Sequence, residues 1–498
     1  GRLYINDLQD PLIDAWVKSG YDTEYRDSRF LLAGRLYAIN LEWFTFKEKT
    51  ASIGLRWEPP HGVDRPIPAR HLSPQQSPEV IVVEAPFPPD DRSDGYIRGT
   101  SVSQAWDEAT TFAAIEAVDK FRSLLPSMAK LKKDDNDDAR AKKLREFCET
   151  FAYRAFRRPL SDVEKQTYIG NQFESAKNVD EGVRRSLLAI LKSPRFLYHE
   201  VTGEQDLFTQ ASRLSFALMG SIPDNNLLQA AEKGWMKNEQ GIRDQAWRLL
   251  SSYRGKVRLQ EFLRVWMNLE RLEEISKDSE LYPGFTPELV ADMRTSLELL
   301  LEEAASSEDG FQTLLTTNET WMNKRLAEFY KAGESEGDGF QKVTFEPEHR
   351  AGVASHPFML SGLAYHKTSS PIHRGVFLSR GILGRALKPP PDSVAPLAPE
   401  LEPDLTTRER VTKQTSPTMC NNCHKMINAL GFPLEQFDAV GRFRDKEKGK
   451  PIDAAGSYMQ QSGKEVTFSG ARELAKYLAE SEDAQAAFVD RAFQHFVK

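Results

Sequence analysis

Residues 141–330 carry leucine, phenylalanine and tryptophan side chains at helical spacing almost without interruption. In the runs 184–191, 211–219, 247–266 and 289–304, apolar residues recur with the period of an amphipathic helix. A stretch of this length and regularity favours helix packed on helix over a sheet protein. The sequence therefore predicts a mainly α fold, in which these apolar side chains form the core.

Helix boundaries can be read at several points. Residues 106–125 have helical spacing, and Ser103 is a suitable N-cap for them. Ser161 is followed three residues later by Glu164, which is the pattern of a capping box. The run 132–143 is dense in charge and predicts a solvated break between helices.

Composition narrows the classes of function. The chain has 498 residues, enough for several domains, and a formal net charge of -7 without a long basic run. These features favour neither a nucleic-acid partner nor an anionic membrane surface. No segment approaches the roughly 18 consecutive apolar residues of a membrane span. The sequence opens at Gly1 rather than Met, and we expect a processed piece of a longer chain.

The first 85 residues have a different pattern. The runs 36–44 and 51–57 alternate apolar and polar residues and are rich in aromatics, and the run 79–84 is rich in valine. Proline- and glycine-containing turns separate them, as in a β-sandwich. Several of their motifs resemble the second half of a PA14 domain: Asp14-Ala15-Trp16, Leu31 to Tyr37, Leu41 to Phe44 and Leu55 to Pro60. That resemblance implies a sandwich able to bind carbohydrate or a partner.

The run Cys420-Asn421-Asn422-Cys423-His424 is the motif with the most specific chemistry. Two thiols at this spacing can reach the two vinyl groups of one porphyrin, and the adjacent imidazole can reach its iron from the same side. The following residues, 425–432, predict a short helix that ends near a glycine. The motif therefore predicts one covalently attached haem c, with Cys420 and Cys423 as attachment points and His424 as proximal iron ligand.

Two other readings of this motif stay open. A zinc site would need four ligands, usually from a second cysteine pair, and the chain has only one further cysteine, Cys148. Cys148 lies on an amphipathic stretch, which favours a buried core position. A redox disulfide of the thioredoxin type would need a βαβ setting, which the pattern lacks.

The surrounding sequence resembles the C-terminal cytochrome-like module of large secreted planctomycete-type haem proteins. The resemblance rests on Thr368 to Leu378 before a proline-rich arm and on Ile427 to Arg444 after the cysteines. Further segments resemble the linker and the helical modules of the same architecture: 87–111, Phe151 to Leu160, Ser193 to Tyr198 and Arg213 to Asp224. The resemblance implies export to the periplasm or cell surface, and five segments: 1–85 sandwich, 86–140 linker and helix, 141–203 and 204–345 helical domains, 346–498 haem module.

The second axial ligand decides what such a haem does. A histidine or methionine on the far face gives iron suited to electron transfer, whereas an open face permits ligand or peroxide chemistry. The candidate distal ligands are His366, His373 and Met359, all within the predicted module. Arg442 and Arg444 follow the haem helix and are candidates for pairing with the haem propionates.

Three functions are compatible with these features. The first is an exported electron-transfer protein that has a redox partner protein and binds a polysaccharide or partner through its sandwich. The second is a haem oxidase or peroxidase-like enzyme that acts on an extracellular substrate. The third is a structural cell-surface component. No catalytic residue can be assigned, because the chain has no G-x-S-x-G elbow, P-loop or H-E-x-x-H motif.

Overall fold

The structure is a computed structural model that describes residues 1–17, 24–45, 52–75, 77, 80–88, 102–199, 205–272, 274–333, 339–387 and 403–497. The predicted linker around residues 89–101 and most of the proline-rich arm 386–403 lie outside these ranges. The described chain is mainly helical and forms two compact units, residues 1–54 with 69–258 and 496–498, and residues 55–68 with 259–495. The predicted α-rich fold is thereby confirmed.

The first unit begins with a small antiparallel sheet of three strands, in which β1 lies between β2 and β3. The strands are β1 (Arg2–Ile5), β2 (Ile13–Asp14) and β3 (Ile39–Glu42). The predicted third run does not form a strand, since its described residues 80–84 lack a ladder partner. Side chains bond its backbone instead: Asn6 contacts Val80 at both amide ends, and the Glu116 carboxylate accepts from the Glu84 amide. The PA14-like sandwich stays a prediction.

Helices make up the rest of this unit. They are α1 (Gln104–Met128), α2 (Asp137–Phe156), α3 (Asp162–Lys165), α4 (Asn171–Glu174), α5 (Val179–Leu191), α6 (Pro194–Leu197), α7 (Leu207–Met219), α8 (Asn225–Glu232), α9 (Glu239–Leu250) and the start of α10 (Tyr253–Trp266). Ser103 caps α1, and Ser161 and Glu164 form the predicted capping box of α3. The helix α2 begins inside the predicted charged break, because Asn136 accepts from the Ala139 amide and Asp137 and Asp138 favour the helix N-terminus.

The second unit combines short helices with two-stranded ladders. Its elements are β4 (Arg56–Trp57), β5 (Arg65–Pro66), α11 (Pro287–Ser306), α12 (Gly310–Thr316), β6 (Glu319–Met322), α13 (Lys324–Tyr330), β7 (Gln341–Thr344), α14 (Pro357–Gly362), α15 (Pro371–Val376), α16 (Thr407–Gln414), α17 (Thr418–Gly431), β8 (Lys446–Glu447), β9 (Lys450–Pro451), β10 (Ala455–Met459), β11 (Glu465–Ser469), α18 (Gly470–Glu480) and α19 (Glu482–Val497). The cysteine motif lies on α17, which packs against α15 and β10. Among the described residues, no helix is both long and apolar enough for a membrane span.

Candidate functional site

The helix α17 carries both cysteines and His424 of the motif. Cys420 lies one helical turn before His424 and Cys423 directly precedes it, and both thiols are free and partly exposed. Cys148, by contrast, is fully buried in the first unit, where burial raises the pKa of its thiol to about 12. The two motif cysteines are therefore available for chemistry, and Cys148 is a core residue, as predicted.

Close backbone contact fixes the position of α17 against α15. A Cβ atom at Gly375 would lie 1.9 Å from the carbonyl oxygen of Ile427, and one at Gly431 would lie 1.9 Å from that of Pro371. Only glycine allows two helices to approach this closely. A neighbouring face of the same helix carries His424 and lines a cleft.

His424 lines a cleft of about 560 Å³ between α16, α17 and β10. Most of the residues that line it are polar, and they include two cationic side chains, Arg408 and Lys425. Arg408 stacks on the ring of Phe432 at 4.2 Å and donates to the carbonyl oxygens of Asp453 and Ala455 at 2.9 and 2.7 Å. A cleft of this volume is in the range of cofactor pockets, and its cations suit a ligand with carboxylate groups.

The imidazole of His424 is held by the residue one turn ahead on the same helix. Its Nδ1 lies 3.2 Å from Oδ1 of Asn428, and Nδ2 of Asn428 donates to Oγ1 of Thr415 at 2.8 Å. Both Asn428 and Thr415 are buried. This arrangement leaves Nε2 of His424 as the ring nitrogen available to a metal.

The residues present fit a covalently bound haem. Two free thiols and an imidazole share one helix, and that imidazole borders a cleft of cofactor size. In the part of the chain that the structure describes, no group of three or more His, Cys, Asp or Glu side chains converges as a zinc site requires. Two thiols and an imidazole at this spacing on one helix are the residue types that would hold a haem c.

The three candidate distal ligands lie elsewhere in the second unit. Met359 is fully buried in α14, His366 is exposed, and the exposed His373 contacts the ring of Tyr365 at 4.9 Å. None of the three lines the cleft, and His424 is the only histidine among the described lining residues, which include no methionine.

Arg442 and Arg444 also lie away from the cleft lining. The Arg442 guanidinium stacks on Phe329 at 3.9 Å. Arg444 forms ion pairs with Glu435 and Glu447, each at 3.5 Å. Both arginines are therefore engaged with protein groups, and the structure does not bring them to His424.

A buried ion pair joins the two motif segments that flank the arm. Arg374 is fully buried, and its Nη1 contacts Oε1 of Glu435 at 3.2 Å. The same guanidinium donates to the carbonyl oxygens of Leu434, Phe437 and Asp438 at 2.6, 3.0 and 2.9 Å. Burial raises the pKa of Glu435, and the two nearby guanidinium groups oppose that shift. Arg374 thus holds the segment that immediately follows α17.

Sequence reasoning missed the residues that shape the cleft: Arg408, Thr415, Lys425, Asn428 and Ser457. For Asn428 a signal existed, since residues four apart on a helix lie on the same face. For Arg408, Thr415 and Ser457 no local signal existed, because other elements bring them to α17. Cys420, Cys423 and His424 share the helix α17, and of the three His424 lines the cleft whereas the two cysteines do not.

Three segments match families of known sequence. Residues 143–200 match PSD5, a protein of unknown function (DUF1595), residues 206–332 match PSD4 (DUF1592), and residues 350–447 match PSCyt3 (DUF1588). No curated protein and no solved structure matches the chain. The chain thus matches, in this order, three of the planctomycete cytochrome-c-like domain families, and the last match includes the cysteine motif and the part of the cleft that α16 and α17 form.

Proposed function

We propose that this chain is an exported c-type haem protein that transfers electrons. Cys420 and Cys423 would form the two thioether bonds, and His424 would bind the iron through Nε2. One observation carries the proposal: the imidazole of His424 lines a cleft of about 560 Å³. The helix of His424 also carries two free thiols. The cytochrome-like PSCyt3 family of residues 350–447 is compatible with it.

The residues of the chain have separate tasks in this proposal. Haem, when bound, supplies a one-electron redox centre. The thiols fix it to α17, and the close packing of α17 on α15 holds that helix in place. We assign the propionate contacts to Arg408 and Lys425, which line the cleft, rather than to Arg442 and Arg444. Guanidinium and ammonium groups are suitable partners for carboxylates.

A second function is favoured by the lining of the cleft. The described lining residues include no second histidine and no methionine, so they would hold a haem through His424 alone, and such a haem would supply oxidant-binding chemistry. The chain would then be a haem enzyme that binds a small oxidant and uses it to oxidise an extracellular substrate. Carbon monoxide distinguishes the two: rapid, stoichiometric binding to the reduced protein favours the enzyme, and no binding favours electron transfer.

Export, a redox partner and polysaccharide binding by residues 1–85 belong to the same proposal. The resemblance of residues 346–498 to the cytochrome-like module of secreted haem proteins implies export. We therefore place the chain in the periplasm or at the cell surface.

The decisive experiment measures covalent haem. The chain is exported in cells that have a c-type maturation system, and haem is quantified by pyridine haemochrome spectrum and intact mass. We expect one haem per chain and none in the variant with both Cys420→Ala and Cys423→Ala. Cys148→Ala is the matched control, because Cys148 is buried and should leave haem content unchanged. Absence of covalent haem from the parent chain, or equal loss in the control, would overturn the proposal.

A further inference from the structure

The hydrogen bonds next to His424 form a chain that crosses from α17 to the end of α16. His424 Nδ1 lies 3.2 Å from Asn428 Oδ1, Asn428 Nδ2 lies 2.8 Å from Thr415 Oγ1, and Thr415 Oγ1 lies 2.8 Å from the carbonyl oxygen of Val411. Asn428 is 7% exposed and Thr415 is 6% exposed, so water has little access to their polar atoms. The side-chain polar atoms of Asn428 and Thr415 therefore depend on their protein partners.

The direction of each hydrogen bond follows from the group at one end, the carbonyl oxygen of Val411, which can only accept. The Val411 carbonyl oxygen can only accept, so the Thr415 hydroxyl uses its single proton there. Thr415 Oγ1 must then accept from Asn428, which requires the amide nitrogen to face Thr415. The amide oxygen consequently faces His424, and since it can only accept, His424 Nδ1 must carry the proton. The lone pair of the imidazole is then on Nε2.

We infer that Asn428, oriented by Thr415, is a positioning residue that holds His424 in the Nδ1–H tautomer and fixes the plane of its ring. The inference rests on the proposed haem site, because it names how the iron ligand is prepared. Metal-binding histidines commonly donate their second N–H to a protein acceptor, which fixes the tautomer and tunes the ligand. Here that acceptor is a neutral amide, which polarises the imidazole less than a carboxylate would.

The end of the hydrogen-bond chain that is farthest from His424 is held by α16 rather than by α17. A capping box of Thr406 and Glu409 starts α16, and the Glu447 carboxylate accepts from the backbone amide and the hydroxyl of Thr407 at 2.9 and 2.8 Å. The backbone amide of Thr415 also donates to Val411, which closes the helix. Thr415 is thereby fixed by α16, so that the ring of His424 is oriented by two helices rather than one.

The experiment uses the full chain as purified, with four variants: Asn428→Leu, Asn428→Asp, Thr415→Val and Thr415→Ser. Two readouts apply, the ¹⁵N resonances and Nδ1 proton exchange of His424 in the reduced protein, and the reduction potential. Asn428→Leu and Thr415→Val should raise the exchange rate about tenfold, the effect of losing one hydrogen bond. Asn428→Asp should make the potential more negative, because a carboxylate strengthens imidazolate character. Thr415→Ser keeps the hydroxyl and should match the parent.

The outcomes separate this inference from the proposed function. Haem content is measured for every variant by intact mass, and exchange and potential are compared at equal haem content. Unchanged exchange and potential in Asn428→Leu and Thr415→Val would show that the hydrogen bonds only pack α16 on α17, and would overturn the inference. If the parent holds no covalent haem, the proposed function fails, and the His424 resonances still decide: an Nδ1–H tautomer supports the positioning role, and an Nε2–H tautomer refutes it.

Discussion

The segments 143–200 and 350–447 are stabilised by different kinds of interior. In 143–200, long helices pack through apolar residues such as Leu144, Leu187 and Ile190, all at most 2% exposed. In 350–447, the helices are short and the interior holds charged side chains, among them Arg350, Arg374 and Glu435. Regular helices satisfy their own backbone groups, whereas irregular backbone needs other donors. The guanidinium groups supply them.

Arg350 shows the same use of a guanidinium group. It donates to the carbonyl oxygens of Ser355 and Gly441 at 3.0 and 2.7 Å and lies over the rings of Tyr330, Phe345 and Phe437. The first unit uses this device at Arg157, which donates to the carbonyl oxygens of Ala155, Arg195 and Tyr198 where α2 ends. Buried arginines therefore mark the points where the chain leaves regular structure, and 350–447 has more such points.

The largest effect is expected at the buried ion pair. Arg374→Gln leaves Glu435 buried without its closest cation and removes donors to three carbonyl oxygens, so local stability should fall by about 3–5 kcal/mol. Hydrogen exchange of amides in α15 and α17 measures this local opening. The exposed Arg380→Gln is the control and should change little. Equal protection in both variants would show that the buried charge does not stabilise this segment.

A cavity in the apolar interior should cost somewhat less. Leu144 is fully buried between α2 and its neighbours, and Leu144→Ala should destabilise the 143–200 helices by about 3 kcal/mol. Exchange of amides in α2 and α5 provides the measurement. Val163→Ala, at a position 76% exposed, should have almost no effect. A loss in Leu144→Ala no larger than in this control would contradict an apolar origin of the stability.

The polar interior should also make 350–447 sensitive to acid. His356 is buried, its Nε2 lies 3.1 Å from the Ser296 hydroxyl, and burial lowers its pKa to about 3. His356 therefore binds a proton below about pH 6.5 in the unfolded chain, but only below about pH 3 in the folded chain. Stability should fall with decreasing pH across this window, by at most about 1.4 kcal/mol per unit.

The matched variant for this pH dependence is His356→Asn. Asparagine can still accept from the Phe358 amide at the start of α14 but does not titrate between pH 3 and 6.5. Amide exchange in α14 between pH 4 and 7 should therefore be less pH-dependent in the variant than in the parent chain. The same slope in both proteins would assign the acid sensitivity to other groups.

The smallest loss of stability is expected at two capping boxes, one in each unit. Ser161→Ala and Thr406→Ala each remove a side-chain acceptor at a helix start, and each should cost about 1 kcal/mol of local stability. Thr406→Ala should in addition loosen Thr415 at the other end of α16 and broaden the His424 resonances. Ser161→Ala should leave those resonances unchanged. Broadening of the His424 resonances in both variants, or in neither, would show that α16 does not orient the imidazole.

Local signals in the sequence were sufficient for much of the helical structure. Ser103, the Ser161–Glu164 box and the helix that carries Cys420 to His424 are predicted because each depends on residues within a few positions. The hairpin of β10 and β11 is not predicted, since Ala455-Gly456-Ser457 has little strand propensity and gains its place by packing on α17. The same holds for Arg374, whose role depends on Glu435 far along the chain.

The enclosure of α17 has a consequence for the order of maturation. This helix is contacted by α15 on one side and by β10 on another, and Asn428 bonds it to the end of α16. These contacts leave a bulky macrocycle less room beside α17 in the finished fold than in a chain whose hairpin is still open. If the chain carries the haem proposed above, we expect its thioether bonds to form before the β10–β11 hairpin closes over α17.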